Sequence, residues 1–287
     1  PNQPSATASP PEECGIRKAG DDFDLKITGE DSETLFGEFP WMVAVLRINA
    51  SSTNGTLICG ASLLSPFIVL TAAHCVNKID MSELRVRAGE YNIGNDHEET
   101  LTHQDRTISA IHIHSNFSVR KLYNDVALLS VNEPFHYEPH IAPVCAPFVN
   151  TEYSAKEAFN PRTCLATGWG KTNFGDRVFS HKLKKVDLTI VNHNDCQNKL
   201  RTTRLGAGFR LDSTFICALG LGDTCQGDGG GPLVCATKSN PNKYIQVGIV
   251  SWGIGCGKDI PGVYASLLAN AEWLTAEVNT MTVFRPF

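Results

Sequence analysis

Three short segments concentrate side chains suited to proton transfer and backbone groups suited to holding negative charge. TAAHC (residues 71–75) carries His74, NDVALL (124–129) carries Asp125, and GDTCQGDGGGP (222–232) crowds glycines around Asp223 and Asp228. Histidine changes protonation near neutral pH and serves as a general base, while a buried carboxylate can hold its tautomer. Glycine-rich turns can aim amide N–H groups at developing negative charge. Metal chemistry is poorly served: of ten cysteines only Cys217, Cys225 and Cys235 crowd together, and no C-x-x-C pair occurs. His112 and His114 alternate on a predicted strand and can share one face, but with no third ligand in view they read as ordinary strand histidines.

The elements that must position these residues are β-strands. From Trp41 onward, short runs rich in Val, Ile, Leu and Phe (WMVAVLRI, FIVLTAA, LRVRAG, DVALLSV) alternate with Gly, Pro, Asn and Asp. A second series follows a Pro-rich passage at residues 141–161: CLATGWG, KKVDLTIV, PLVCAT, IQVGIVSW and GVYASL. The pattern predicts an all-β fold of two barrels, covering about 27–145 and 146–268. Only LLANAEWLTAEV spaces its apolar residues as a helix face, which predicts one terminal helix at about 269–279. A chain of 287 residues that is 42% hydrophobic can bury such a core.

The first residues, PNQPSATASPPE, lack an apolar pattern and read as a linker, so 1–26 is expected to follow an upstream module absent from the sequence. The chain opens at Pro1 with neither Met nor a signal h-region, and reads as a mature product or an excised piece. A net charge of -5 disfavours nucleic acid as a partner. No apolar run approaches the ~18 residues of a membrane span. The even cysteine count and N-x-S/T sequons at Asn49, Asn54 and Asn116 point to a secreted, disulfide-bonded glycoprotein.

TAAHC, NDVALL and GDTCQGDGGGP, with SWGIGC (251–256) and PGVY (261–264), together resemble the trypsin and chymotrypsin family, in its His, Asp, Ser chain order. The resemblance implies two six-stranded antiparallel barrels of the chymotrypsin type and gives His74 and Asp125 the roles of base and orienting carboxylate. It places the nucleophile at position 229, where this chain has Gly229, so the triad His74, Asp125, Gly229 is expected to be vestigial. It further implies a pocket built from Asp223, Ser251, Gly253 and Gly262, with the carboxylate favouring Arg or Lys. Gly227 and Gly229 would supply the oxyanion-hole amides. Lys26 and Ile27 would form an activation site whose freed ammonium pairs with Asp228, although ITGE replaces the family's usual IVGG and one residue is inserted before Gly37. Five disulfides are implied: Cys14–Cys145, Cys59–Cys75, Cys164–Cys235, Cys196–Cys217 and Cys225–Cys256. The loop at 90–99 resembles the family's calcium loop, with Glu90 and Asn92 as candidate calcium ligands but His97 and Thr100 at positions where acids would be expected.

A narrower resemblance comes from LRTTRLGAGFRLDSTFICA (200–218), FGEFPWMVAV (36–45), THQDR (102–106) and the GDGGG run. These are similar to arthropod clip-domain serine protease homologs, including masquerade-like proteins and prophenoloxidase-activating factors. The resemblance implies a pseudoprotease in the haemolymph that needs no cofactor and regulates an immune protease cascade leading to melanisation. Prophenoloxidase and clip-domain proteases would be its partners, with oligomerisation open. An enzyme with a substituted nucleophile and a microbial-surface adhesion protein are the alternatives. Arg201, Arg204 and Arg210 form a basic loop within the family-specific stretch that could meet an acidic partner surface.

Overall fold

Closing a barrel buries one face of every strand, and the residues that alternate show which face. In the computed structural model, which describes residues 13–18, 32–49, 52–94, 101–148, 159–170, 180–220, 228–255 and 259–283, β4 (Leu84–Ala88) turns Leu84, Val86 and Ala88 inward and leaves Arg85 and Arg87 at the rim. The first barrel is completed by β1 (Met42–Asn49), β2 (Ser52–Ser65), β3 (Ile68–Thr71), β5 (Gln104–Ile113) and β6 (Ala127–Val131), in the order β1-β2-β3-β6-β5-β4. The second is built from β7 (Phe159–Gly168), β8 (Lys184–Val191), β9 (Phe215–Leu219), β10 (Pro232–Thr237), β11 (Tyr244–Trp252) and β12 (Gly262–Ser266), closed as β10-β11-β12-β9-β8-β7. Followed from β7, the second order repeats that of the first. The predicted pair of six-stranded antiparallel barrels is thus the fold.

Strands at the seam between the barrels do not alternate. All residues of β10 and β12, and all of β11 but Trp252, are buried, because the outward face of one barrel packs against the other. One apolar cluster runs across the seam, joining Trp41, Leu63 and Leu70 to Leu165, Trp169 and Ile249. Buried polar groups crossing it are paired: Ser62 Oγ donates to Gln246 Oε1 at 2.6 Å, and Gly60 N–H to Gly229 C=O at 2.9 Å.

Among the described residues three α-helices complete the fold: α1 (Ala73–Val76), α2 (His193–Arg201) and α3 (Ala271–Val283). The terminal helix starts two residues later than predicted and ends four residues later. Residues 267–270 form a turn in which Asn270 N–H bonds Ser266 C=O and Asn270 C=O receives the N–H of Leu274. Helix α2 was not anticipated, since its sequence HNDCQNKLR is polar almost throughout. It is held by an N-cap, Asn192 Oδ1 accepting the Asp195 amide at 2.9 Å, and by its buried Cys196 and Leu200.

Disulfides Cys14–Cys145, Cys59–Cys75, Cys164–Cys235 and Cys196–Cys217 are formed as the resemblance implied, while Cys225 and Cys256 lie outside the described residues. The first ties the N-terminal segment to the seam. There Gly15 has φ 73°, and an added Cβ would stand 2.1 Å from Tyr244 C=O, so only glycine allows the approach. Nearby, the buried Glu38 carboxylate receives Arg17 Nε at 2.9 Å, Lys185 Nζ at 2.9 Å and the Leu35 amide at 2.8 Å. Burial alone would lower the Arg17 pKa, but hydrogen bonds to Tyr244 and Glu38 outweigh it and raise the value. Glu38→Gln leaves two cations without their anion, so a loss of about 3 kcal/mol is expected, with a fall in Tm on the order of 6–10 °C by differential scanning fluorimetry.

Helix α3 follows the second barrel but docks on β5 of the first. Trp273 packs on His114 with ring centroids 4.8 Å apart, and His112 Nδ1 lies 3.0 Å from Glu277 Oε2. His114 Nδ1 accepts the Asn116 amide, and burial lowers the His114 pKa despite the opposing effect of Glu277. A histidine with a depressed folded pKa binds its proton more readily when unfolded. Its contribution is therefore intact above the unfolded value near 6.5 and declines as pH falls below it. Thermal unfolding from pH 7.5 to 5.5 should show a drop in Tm that is shallower in His114→Phe.

Candidate functional site

The seam assembles three of the residues that the motifs singled out. His74 stands on the single turn of α1 after β3, Asp125 lies just before β6, and Ser251 is near the end of β11 of the other barrel. Asp125 is fully buried and accepts three bonds: the His74 amide at 2.8 Å, His74 Nδ1–H at 2.7 Å and Ser251 Oγ–H at 2.6 Å. With Nδ1 committed to the carboxylate, the Nε2 lone pair faces the turn before β10, as a general base must.

Gly229 occupies that turn. A Cβ built there would lie 2.9 Å from His74 Nε2 and 3.4 Å from Cε1, so the imidazole stands against the backbone, within the space a side chain would need. His74 Nε2 also lies 3.6 Å from Cys75 Sγ. Together with Cys59, these form the one His/Cys cluster close enough for metal ligation among the described residues, but the two sulfurs are bonded to each other. The Gly229 amide has no acceptor among the described residues and remains available to an incoming oxygen. Gly230 has φ 81°, and a Cβ there would meet Gly60 C=O and Thr71 Oγ1 at 2.4 Å, so this second glycine is dictated by packing.

Asp228 turns away from His74 into a backbone cradle. Gly170 N–H donates to its Oδ1 at 2.8 Å, and side chains at Gly168 or Gly170 would come within 2.2 and 2.5 Å of that oxygen. These two glycines, visible in CLATGWG, were not singled out from sequence, although a glycine pair flanking a buried Trp169 is a sign of close backbone approach. Of the residues expected at the pocket mouth, Ser251 lies near the end of β11, Gly253 follows it and Gly262 opens β12; among the described residues a Cβ at Gly253 would touch only Gly255 C=O at 3.8 Å. Asp223, Gly227, Lys26 and Ile27 lie outside the described residues.

The candidate calcium loop has a different occupant in its described half. Glu90 Oε2 receives Arg87 Nη1 at 3.1 Å and its Oε1 receives the Tyr91 amide, while Arg87 also binds Asp105 at 2.7 Å. Burial works against the Arg87 charge, but bonds to Asp105 and Glu90 raise its pKa well above the usual value. A cation at Glu90 would therefore compete with a guanidinium for the carboxylate; Asn92 is buried, and His97 and Thr100 lie outside the described residues. The family-specific THQDR segment is also structural, since Arg106 reaches Pro134 C=O and stacks over Phe135. Asn116 is exposed, whereas nothing is described of the Asn49 and Asn54 side chains.

Residues 28–274 match the family described as Trypsin. The chain is 42% identical over 277 residues to a protein named phenoloxidase-activating factor 2 from Galleria mellonella, covering 92% of this chain and 88% of that one. It is 34% identical over 272 residues to inactive CLIP domain-containing serine protease A28 of Anopheles gambiae, covering 92% and 68% of the two chains. Protein A8 of the same series and organism is 34% identical over 274 residues, covering 92% and 71%. By its barrels, its His74–Asp125 pair and these relatives, the chain belongs to the trypsin family, as an insect-type clip-domain serine protease homolog.

Proposed function

We propose that this chain is a non-catalytic binding protein of an extracellular immune protease cascade, acting as a cofactor or regulator of prophenoloxidase activation. The observation that carries the reading is the assembled His74–Asp125 pair facing a residue with no side chain. Peptide hydrolysis through an acyl-enzyme needs an oxygen or sulfur at position 229, and glycine offers only hydrogen on Cα. Where the nucleophile of a triad protease has been removed, kcat falls on the order of 10⁶-fold, which leaves no useful amide hydrolysis. A Cβ at position 229 would also crowd His74, so the imidazole occupies space that a side chain would need.

What remains is a frame that can bind. The Gly229 amide, which meets no acceptor among the described residues, Ser251 and the open position at Gly253 can receive an extended peptide, and Asp223 would favour a basic residue in the pocket. The four disulfides fit an oxidising, secreted setting, and the exposed Asn116 fits a glycan acceptor. Among the described residues no helix is long and apolar enough to cross a membrane. The relatives named phenoloxidase-activating factor 2 and inactive CLIP domain-containing serine proteases support placing the partners among prophenoloxidase and the clip-domain proteases.

Two measurements test the reading. The purified chain should remain unlabelled by a fluorophosphonate under conditions that label trypsin stoichiometrically, and its addition should change the phenoloxidase yield from prophenoloxidase and an active clip-domain protease. Labelling at this polypeptide, or an unchanged yield, would overturn it. Gly229→Ser is expected to cleave an Arg-containing peptide at least about 10²-fold more slowly than trypsin, because the new Cβ displaces the base it must use.

A further inference from the structure

We propose that the face formed by the loops at residues 118–124 and 199–211 is a docking surface for an acidic segment of a partner protein with an aromatic or aliphatic anchor. This rests on the non-catalytic reading above and names the chemistry of what is bound. The two segments contain Arg120, Lys121, Lys199, Arg201, Arg204 and Arg210 and no Asp or Glu, on a chain whose net charge is -5. By contrast, Arg17, Arg47, Arg85, Arg87 and Arg106 each hold a carboxylate or a carbonyl. None of the six cations on these loops forms an ion pair among the described residues, and Arg120, Lys121, Arg204 and Arg210 are exposed.

The basic face is built on a firm base. Thr202 Oγ1 and Thr203 Oγ1 close the end of α2 on Lys199 and Leu200 carbonyls, Arg201 Nε bonds Phe209 C=O at 2.8 Å, and Gln197 Oε1 accepts the Leu211 amide. Gly206, with φ 77°, makes the reversal between them. A ladder of rings joins the two loops: Tyr123 meets Phe215 at 5.9 Å, Phe215 meets Trp252 at 5.9 Å, and Trp252 meets Phe209 at 6.1 Å, all edge to face. Leu205 and Phe209 remain only partly buried, and Val119 is 57% exposed.

Planar guanidinium groups on a rigid loop match carboxylates in pairs, and an apolar floor between them gives an aromatic residue somewhere to go. Charge alone would serve an anionic polysaccharide equally well; the exposed Val119 and the ring ladder favour a polypeptide.

The test is fluorescence anisotropy of the full chain with a fluorescein-labelled octapeptide carrying four glutamates around one phenylalanine, beside a second probe with alanine in place of phenylalanine. The phenylalanine probe should bind more tightly than the alanine probe and be released by salt. Arg204→Glu with Arg210→Glu should weaken it about tenfold or more, Phe209→Ala about threefold, and Lys238→Glu, a control at an exposed site on another turn, not at all. Absence of binding, equal affinity for both probes, or heparin fragments of matched charge binding as tightly as the phenylalanine probe would overturn the proposal. Mass spectrometry of the recovered probe separates the two readings: a cleaved probe counts against the non-catalytic reading, and an intact, unbound probe against this surface alone.

Discussion

One buried carboxylate organises the seam. Asp125 belongs to the first barrel, orients a histidine on that barrel and accepts a hydroxyl from Ser251 of the second. An anion with no exposed surface persists only when its oxygens are satisfied, and here every donor is supplied by the junction itself. The two barrels must therefore meet in one relative position for Asp125 to be accommodated. The same position brings the turn at Gly229 under the imidazole, so the geometry used by an active protease is imposed on this chain by burial, whether or not a reaction follows.

That separation between framework and chemistry explains which glycines matter. Gly230 and the pair Gly168 and Gly170 leave no room for a Cβ: the first would strike Gly60 and Thr71, the others the Asp228 carboxylate. Gly229 differs from them in degree, because a Cβ there would stand 2.9 Å from His74 Nε2, farther from its neighbour than at the other three. Three glycines thus serve the fold, and the fourth faces the imidazole with no side chain. The consecutive run at 229–231 conceals two distinct physical causes.

Much of this was legible before the structure because the decisive residues sit in contiguous motifs. TAAHC, NDVALL and SWGIGC place His74, Asp125 and Ser251 by themselves, and strand alternation in LRVRA marks the barrel wall. What escaped depends on partners distant in sequence or on caps in unpromising segments. The role of His112 requires Glu277, 165 residues away, and that of Glu38 requires Lys185 on another barrel. The guanidinium that sits on Glu90 is held in turn by Asp105, and that second contact arises only once β4 and β5 pair. Helix α2 lacked an apolar stripe, yet Asn192 and Asp195 at the spacing of an N-cap were present to be noticed.

The helix α3 begins where the second barrel ends and finishes on the first, with Trp273 and Glu277 gripping the two histidines of β5. It thereby acts as a clasp across the back of the junction. Any hinge motion that widened the cleft at the front would have to strain this clasp or slide β11 past the buried Ser62–Gln246 bond. The cleft is consequently stiff before anything enters it. A stiff receptor gives up little conformational freedom on complex formation, which is what the proposed binding role would require.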